Sequence, residues 1–187
     1  MGFDRAILYY LQSIHNPPLD AFMIFLTRLG NSGIIWIAVI LFLLANRSTR
    51  RGAAAAALAL LLETVICMLI IKPLVARPRP YMMDGSVTLL IPKLRDFSFP
   101  SGHTGSGFAV VTALLFSKTK IFEKFPLWIP LGVLAALIAV SRLYLFVHYP
   151  TDVLAGAAFG ILFGYLSVRI LNSFENHRSQ RNAGSLS

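Results

Sequence analysis

The chain has 187 residues, 56% of them hydrophobic, with a mean hydropathy of +0.69, more apolar side chain than one water-soluble domain of that length can hide. The excess is expected to face lipid, so soluble classes are set aside and the bilayer is an expected partner. A net charge of +9 suggests nucleic acid, but the cations fall in short clusters between apolar runs, not in one stripe, so no nucleic-acid partner is expected.

The single cysteine, Cys67, excludes an internal disulfide and reads as a packing residue inside an apolar run. At the N-terminus, Asp4 and Arg5 argue against a cleavable signal peptide. From Phe3 to Ile14 apolar residues recur at helical spacing opposite a polar face, which predicts an interfacial helix. His15-Asn16-Pro17-Pro18 breaks it. Leu19–Leu29 is apolar but too short to span alone, and Gly30-Asn31-Ser32-Gly33 interrupts the run before Ile34–Ala45. Residues 19–45 therefore read equally as one broken span or as two short ones.

Gly52–Val75 is the next apolar run, with Glu63 near its middle and Lys72 at its far end, followed by a polar loop from Arg77 to Pro100. His103–Ser117 is expected to be helical, with Gly102, Gly105, Ser106 and Gly107 forming a small-residue face for close helix contact. Pro126–Val147 and Thr151–Leu171 are the last two spans, and the polar tail from Glu175 to Ser187 is expected to fray. The predicted fold class is thus all-α: a polytopic membrane bundle of five or six transmembrane helices with an N-terminal interfacial helix. It forms one domain over 1–174 and a polar cytoplasmic tail over 175–187. Arg47, Arg50 and Arg51, then Lys118, Lys120 and Lys124, then Arg178 and Arg181 fall on one side of such a bundle, which the positive-inside bias assigns to the cytoplasm.

Three short stretches carry the chemistry, and this topology places all of them on the opposite, outer face. Lys72 is followed after six residues by Arg79-Pro80. Pro100-Ser101-Gly102-His103 comes next, and Ser141-Arg142 precedes His148 and Asp152. Asp152, four residues after His148 and beside Pro150 in a helix's first turn, can accept the N–H of that imidazole and leave the other nitrogen free as a nucleophile. Alternatively, the pair is an interfacial histidine with a carboxylate on a helix dipole. Ser101-Gly102 reads as a turn opening a helix whose free N–H groups could seat a phosphate, with His103 at its mouth as a general acid. Lys72, Arg79 and Arg142 supply charge for phosphate oxygens, in charge-assisted bonds worth ~1.5–3 kcal/mol each. Arg77, Lys93 and Arg95 read instead as membrane-edge anchors, and Glu63 is left outside the site.

Taken jointly, the three stretches resemble the signatures of the type-2 phosphatidic acid phosphatase family, membrane lipid phosphatases related in fold to the vanadium haloperoxidases. The resemblance spans roughly residues 50–172. It implies that Lys72, Arg79, Ser101, Gly102 and Arg142 hold the phosphate, that His148 is the nucleophile, Asp152 its orienting carboxylate and His103 the acid. It also implies a phosphohistidine intermediate, no metal and no cofactor. The compact length is similar to bacterial members acting on phosphatidylglycerophosphate, undecaprenyl diphosphate or phosphatidate. The competing readings are a vanadate-dependent haloperoxidase-like oxidase, a chemistry of soluble chains, and a small transporter, which should carry more polar residues through mid-span.

Overall fold

The computed structural model describes residues 2–121 and 125–184, and these are mostly helical. Lys124 and residues 185–187, which the sequence assigns to the cytoplasmic side, lie outside the described residues. Helix α1 (Gly2–Ser13) packs on α8 (Trp128–Tyr144) and α9 (Pro150–Gly184), burying Leu8 and Asp4 and exposing Phe3, Tyr9 and Tyr10. Asn16 caps α2 (Pro17–Leu29) by accepting the Leu19 N–H at 3.1 Å, with Pro17 at the first helical position, where its missing N–H costs nothing.

The Gly30–Gly33 interruption forms a short 3-10 turn with Gly33 at φ +68°, and α3 (Ile34–Ala45) departs from α2 at an angle of 48°. Residues 17–45 are therefore a bent pair, apolar enough to cross a membrane only when taken together. Arg50–Met83 and Pro150–His177 are each long and apolar enough to cross, whereas α7 (Gly102–Phe116) and α8 are shorter apolar helices.

The second run begins as α4 (Arg50–Glu63), widens to i→i+5 hydrogen bonding over Thr64–Ile71, and closes as α5 (Lys72–Val75). The Lys72 N–H donates to the Cys67 carbonyl, so the wider turn sets the direction in which Lys72 leaves the helix. The expected polar loop is present and contains one short helix, α6 (Pro80–Met83). The loop folds back over the bundle end: Tyr81 Oη donates to the Leu94 carbonyl at 2.8 Å, and Ser98 N–H donates to the Arg77 carbonyl at 2.8 Å. Leu8, Tyr81 and Tyr144–Val147 form the small core beneath it. A two-residue antiparallel pair, Lys120–Ile121 with Phe125–Pro126, joins α7 to α8.

Helix α7 runs through the middle of the bundle. Every residue from Ala109 to Leu114 is buried, against Trp36, Ile40 and Leu43 of α3, the alanines of α4, and Ala135 and Ile138 of α8. Its most extensive partner is α9. A Cβ at Gly156 would lie 2.6 Å from the Ser101 carbonyl oxygen, one at Gly160 2.5 Å from that of Gly105, and one at Gly164 2.7 Å from that of Ala109. Three glycines spaced by four make a stripe on which α7 lies backbone to backbone, the packing that lipid-embedded helices favour because no hydrophobic effect drives them together. The sequence reading credited only the α7 side of this seam. Outward-facing side chains are apolar, Leu41, Phe42, Leu69, Leu74, Val133 and Ile161 among them, as a lipid-facing surface requires. Helix α9 runs on into the polar tail as far as Gly184, because no proline or glycine interrupts residues 165–183.

Candidate active site

The Gly30–Gly33 turn, α3, the Arg50–Val75 run, α7, α8 and the α8–α9 turn converge on one cavity of about 670 Å³ at the end of the bundle under the 77–100 loop. Lys72, Arg79, Gly102, His103, Arg142 and His148, six of the eight residues singled out from the sequence, line it. Ser101 and Asp152 are fully buried beside it, not on its wall.

His148 lies in the short turn between α8 and α9 and is 1% exposed. Its Nε2 is 3.2 Å from Arg79 Nη1. A guanidinium can only donate, so Nε2 carries the lone pair and the ring proton sits on Nδ1. That Nδ1 faces Asp152 Oδ2 at 3.6 Å, close enough for a charge contact but too long for the hydrogen bond expected from the sequence, and it has no other partner among the described residues. The Oδ2 is engaged instead by Ser98 Oγ at 2.5 Å and by the Tyr149 N–H at 2.9 Å. Burial pushes the His148 pKa well below its ordinary 6.5, and the nearby Arg142, Arg79 and Lys72 push it further down, so the imidazole is neutral at physiological pH.

The start of α7 has no side-chain cap: Gly105 N–H reaches the Ser101 carbonyl at 2.9 Å, which leaves the N–H groups of Gly102, His103 and Thr104 without helical partners. Gly102 and His103 present this end to the cavity, a seat with positive dipole and open donors. Ser101 is engaged through both its backbone and its hydroxyl. Its N–H donates to the Asp152 carbonyl at 3.1 Å and its Oγ accepts from Thr104, tying the α7 start to the α9 start. His103 Nε2 is 3.0 Å from Asn31 Oδ1, and Gly30 makes room for the ring, since a Cβ there would lie 2.7 Å from its Cδ2.

The three cations are buried: Arg142 and Arg79 at 1% exposed, Lys72 at 6%. Arg142 Nη1 contacts Thr27 Oγ1, while its Nε has no partner among the described residues. Lys72 and Arg79 share the carboxylate of Asp96, at 2.9 Å to Oδ2 and 2.7 Å to Oδ1. Burial alone would raise the Asp96 pKa, but the hydrogen bond from Lys72 and the charges of Lys72 and Arg79 outweigh it and hold the group at about 2.

The structure corrects one reading and enlarges another. Arg77 is no membrane-edge anchor: its Nη1 donates to Asp152 Oδ1 at 2.5 Å and Thr151 Oγ1 at 2.7 Å, its Nη2 to Asp4 Oδ2 at 3.2 Å, and its guanidinium stacks 4.0 Å over the Tyr149 ring. The carboxylate behind His148 needs a cation, and Arg77 is the one the fold brings to it. Glu63, left out of the site, is 1% exposed, lines the cavity and has an unpartnered Oε1. Asp4, Thr27, Asn31, Asp96 and Ser98 were also missed. None carries a local signal, because each reaches the site only through tertiary packing.

A family model described as the PAP2 superfamily matches residues 52–175. The chain is 34% identical over 161 residues to the undecaprenyl-diphosphatase BcrC of Bacillus subtilis, covering 84% of this chain and 77% of that one. Among solved structures it is similar to LpxE of Aquifex aeolicus, with a TM-score of 0.74 and 31% identity over 88% of this chain and 93% of that one. It is also similar to a PAP2-type phosphatidylglycerolphosphate phosphatase of Bacillus subtilis, with a TM-score of 0.75 and 28% identity over 92% and 85% of the two chains.

Proposed function

This chain belongs to the PAP2 superfamily, and from that premise we propose that it is an integral membrane phosphatase that removes the terminal phosphate of a lipid phosphomonoester or diphosphate through a phosphohistidine. One observation carries the reading. A neutral, buried imidazole with its lone pair on Nε2 shares a single cavity with three buried cations and an uncapped helix start.

His148 Nε2 attacks phosphorus along the line of the departing oxygen; the N–P bond forms as the P–O bond breaks. His103 gives its proton to that oxygen. Water then attacks the phosphohistidine, His103 takes the water's proton, and inorganic phosphate leaves. Lys72, Arg79, Arg142 and the α7 N–H groups of Gly102 and His103 hold the charge that builds on the equatorial oxygens, the task a metal performs elsewhere. Asp152 faces the proton on Nδ1 and favours the imidazolium-like charge of the intermediate, and Ser101 keeps α7 and α9 in register. No cofactor is required.

An apolar groove of about 320 Å³ between α3 and α4 supports a lipid substrate, since Ile37, Leu60 and Thr64 line both it and the cavity. The candidate substrates are undecaprenyl diphosphate, phosphatidylglycerophosphate and phosphatidate. We read α2–α3 as one bent crossing, which with Arg50–Val75, α7, α8 and α9 makes five, and α1 as lying at the interface. The basic clusters around Arg50 and Lys118 and the tail from residue 175 then face the cytoplasm, residues 1–174 are the membrane domain, and the cavity opens to the outer face of the plasma membrane. Phosphate release by the purified protein from the three lipids, with and without EDTA, tests the reading. Turnover that survives chelation and stops with vanadate is the expected result; no release from any of them, or release only with an added divalent ion, overturns it.

A further inference from the structure

We infer that Asp96 is a specificity-determining residue: its carboxylate occupies the phosphate seat between Lys72 and Arg79 and admits only headgroup anions that carry more charge than itself. The inference rests on the phosphatase reading above. It concerns a carboxylate from the 77–100 loop that none of the three signature stretches contains.

The contact has the form of a bound anion. One carboxylate oxygen sits on each cation, 2.9 Å from Lys72 Nζ and 2.7 Å from Arg79 Nη2. The backbone reinforces it, with the Asp96 carbonyl accepting from Arg79 Nε at 2.9 Å and the Phe97 carbonyl from Lys72 Nζ at 3.0 Å. The cations are buried, yet the Asp96 side chain is 54% exposed. It enters from the solvent side of the seat and can leave without disturbing the core. With a pKa of about 2 it is ionised at neutral pH.

A phosphatase embedded in a bilayer meets phosphodiester headgroups, each carrying one negative charge, at far higher concentration than any substrate. An open seat of buried cations would fill with them. A tethered carboxylate competes at an effective concentration in the ~mM range. A phosphodiester that displaces it exchanges one charge for one charge and gains little. A terminal phosphate brings a second charge and three free oxygens, enough to engage Arg142, whose Nε has no partner, as well as Lys72 and Arg79. Every ligand's apparent affinity is lowered by the fraction of protein in which Asp96 is seated, and only the dianion has surplus binding energy to overcome that.

The test is a binding comparison in detergent micelles, in a His148→Ala background that leaves phosphatidate unhydrolysed, reading apparent Kd from thermal stabilisation by phosphatidate and by phosphatidylglycerol on the same preparation. With Asp96 in place, phosphatidate should be strongly preferred. In Asp96→Asn, phosphatidylglycerol should bind roughly tenfold more tightly, the scale of one charge-assisted contact, and phosphatidate should gain less, so the preference narrows. Asp96→Glu, which restores the charge, should keep the wild-type preference. The ratio of two constants cancels any inactive fraction, and Asp96→Ser carries the same comparison if the Asn variant does not fold. An unchanged preference in Asp96→Asn, or an Asp96→Glu variant that behaves like it, overturns the assignment. Because binding is read in a background without turnover, a preference for phosphatidate there, with no phosphate released by the wild type, sinks the proposed reaction and leaves Asp96 standing. Turnover by the wild type without that preference sinks Asp96 alone.

Discussion

Arg77 Nη1 lies 2.5 Å from Oδ1 of Asp152, and the other oxygen of that fully buried carboxylate lies 3.6 Å from Nδ1 of His148. A chain of charge therefore runs from the partly exposed guanidinium, through a carboxylate with no access to water, to the imidazole at the cavity wall. Asp4 of α1 and Thr151 of α9 complete the far end, so the first helix of the chain is fastened to the start of the last.

Arg77→Ala leaves the Asp152 charge buried without a cation. Breaking a fully buried pair costs ~3–5 kcal/mol, and because this guanidinium is a quarter exposed the expected loss is smaller, ~2–3 kcal/mol. Turnover should fall about 10–100-fold, the scale seen when an outer partner that orients a working histidine is removed. Thermal unfolding and kcat for Arg77→Ala, Asp152→Asn and the double variant form the check. Strong non-additivity is expected, since both changes act on one unit. Additive losses would show that Arg77 does not act through Asp152.

The three signature stretches and the lipid-facing composition were legible because each is local: spacing along a helix, a turn before a helix, a run long enough for a bilayer. What surrounds them was not. Arg77 and Arg79 stand two residues apart in one polar loop, yet one turns to Asp152 and the other to His148 and Asp96. Nothing in their spacing separates a site residue from a membrane-edge anchor. Asn31 and Thr27 lie about 70 and 115 residues from the partners they meet, so only the packing of α2 on α8 and of the 3-10 turn on α7 brings them in. The Gly156, Gly160 and Gly164 stripe was readable as a small-residue motif and was overlooked.

The buried histidine gives the fold an acid-side weakness. The folded-state pKa of His148 lies well below its ordinary 6.5. Between those two values the unfolded chain takes up a proton that the folded protein refuses, so stability falls as pH falls below about 6.5, at up to ~1.4 kcal/mol per pH unit. Asp96 acts in the same direction at lower pH. Its pKa of about 2 lies below the ordinary 3.8, so its contribution is present above about 3.8 and lost as pH falls through about 2. Unfolding midpoints measured from pH 7.5 to 5 should decline in wild type and less steeply in His148→Asn. Equal slopes in the two proteins would remove His148 as the cause.

The proposed orientation can be read with single cysteines in a Cys67→Ala background. Gly85 and Ser48 are both exposed, on the loop before α7 and in the turn before α4 respectively. Thr119, the obvious alternative on the second side, is only 5% exposed and would label poorly for reasons unrelated to topology. An impermeant thiol reagent should modify Gly85→Cys in intact cells and Ser48→Cys only after permeabilisation. The reverse pattern inverts the orientation and places the cavity on the cytoplasmic face.

The two histidines should separate by substrate. His148→Ala removes the atom that accepts the phosphoryl group, so no phosphoenzyme forms and every substrate is lost. His103 matters in the first step only as far as the leaving group needs a proton. A lipid alcohol leaves as a poor alkoxide, and a positioned acid is typically worth ~10²–10⁴ in rate there. A nitrophenolate leaves without help. His103→Ala should therefore lose most lipid phosphatase activity and still pass phosphate from p-nitrophenyl phosphate to His148. If the same residue deprotonates the attacking water, that variant gives one burst of nitrophenol and stalls as an acid-labile phosphoenzyme. Asp152→Asn should slow both substrates alike, because it acts on the nucleophile and not on the departing oxygen. Asn31→Ala, which frees the His103 ring from its 3.0 Å contact, should mimic a weakened His103 and cost more on the lipid than on the nitrophenyl ester. A burst retained in His148→Ala, or abolished in a folded His103→Ala that still binds vanadate, would reverse the two roles.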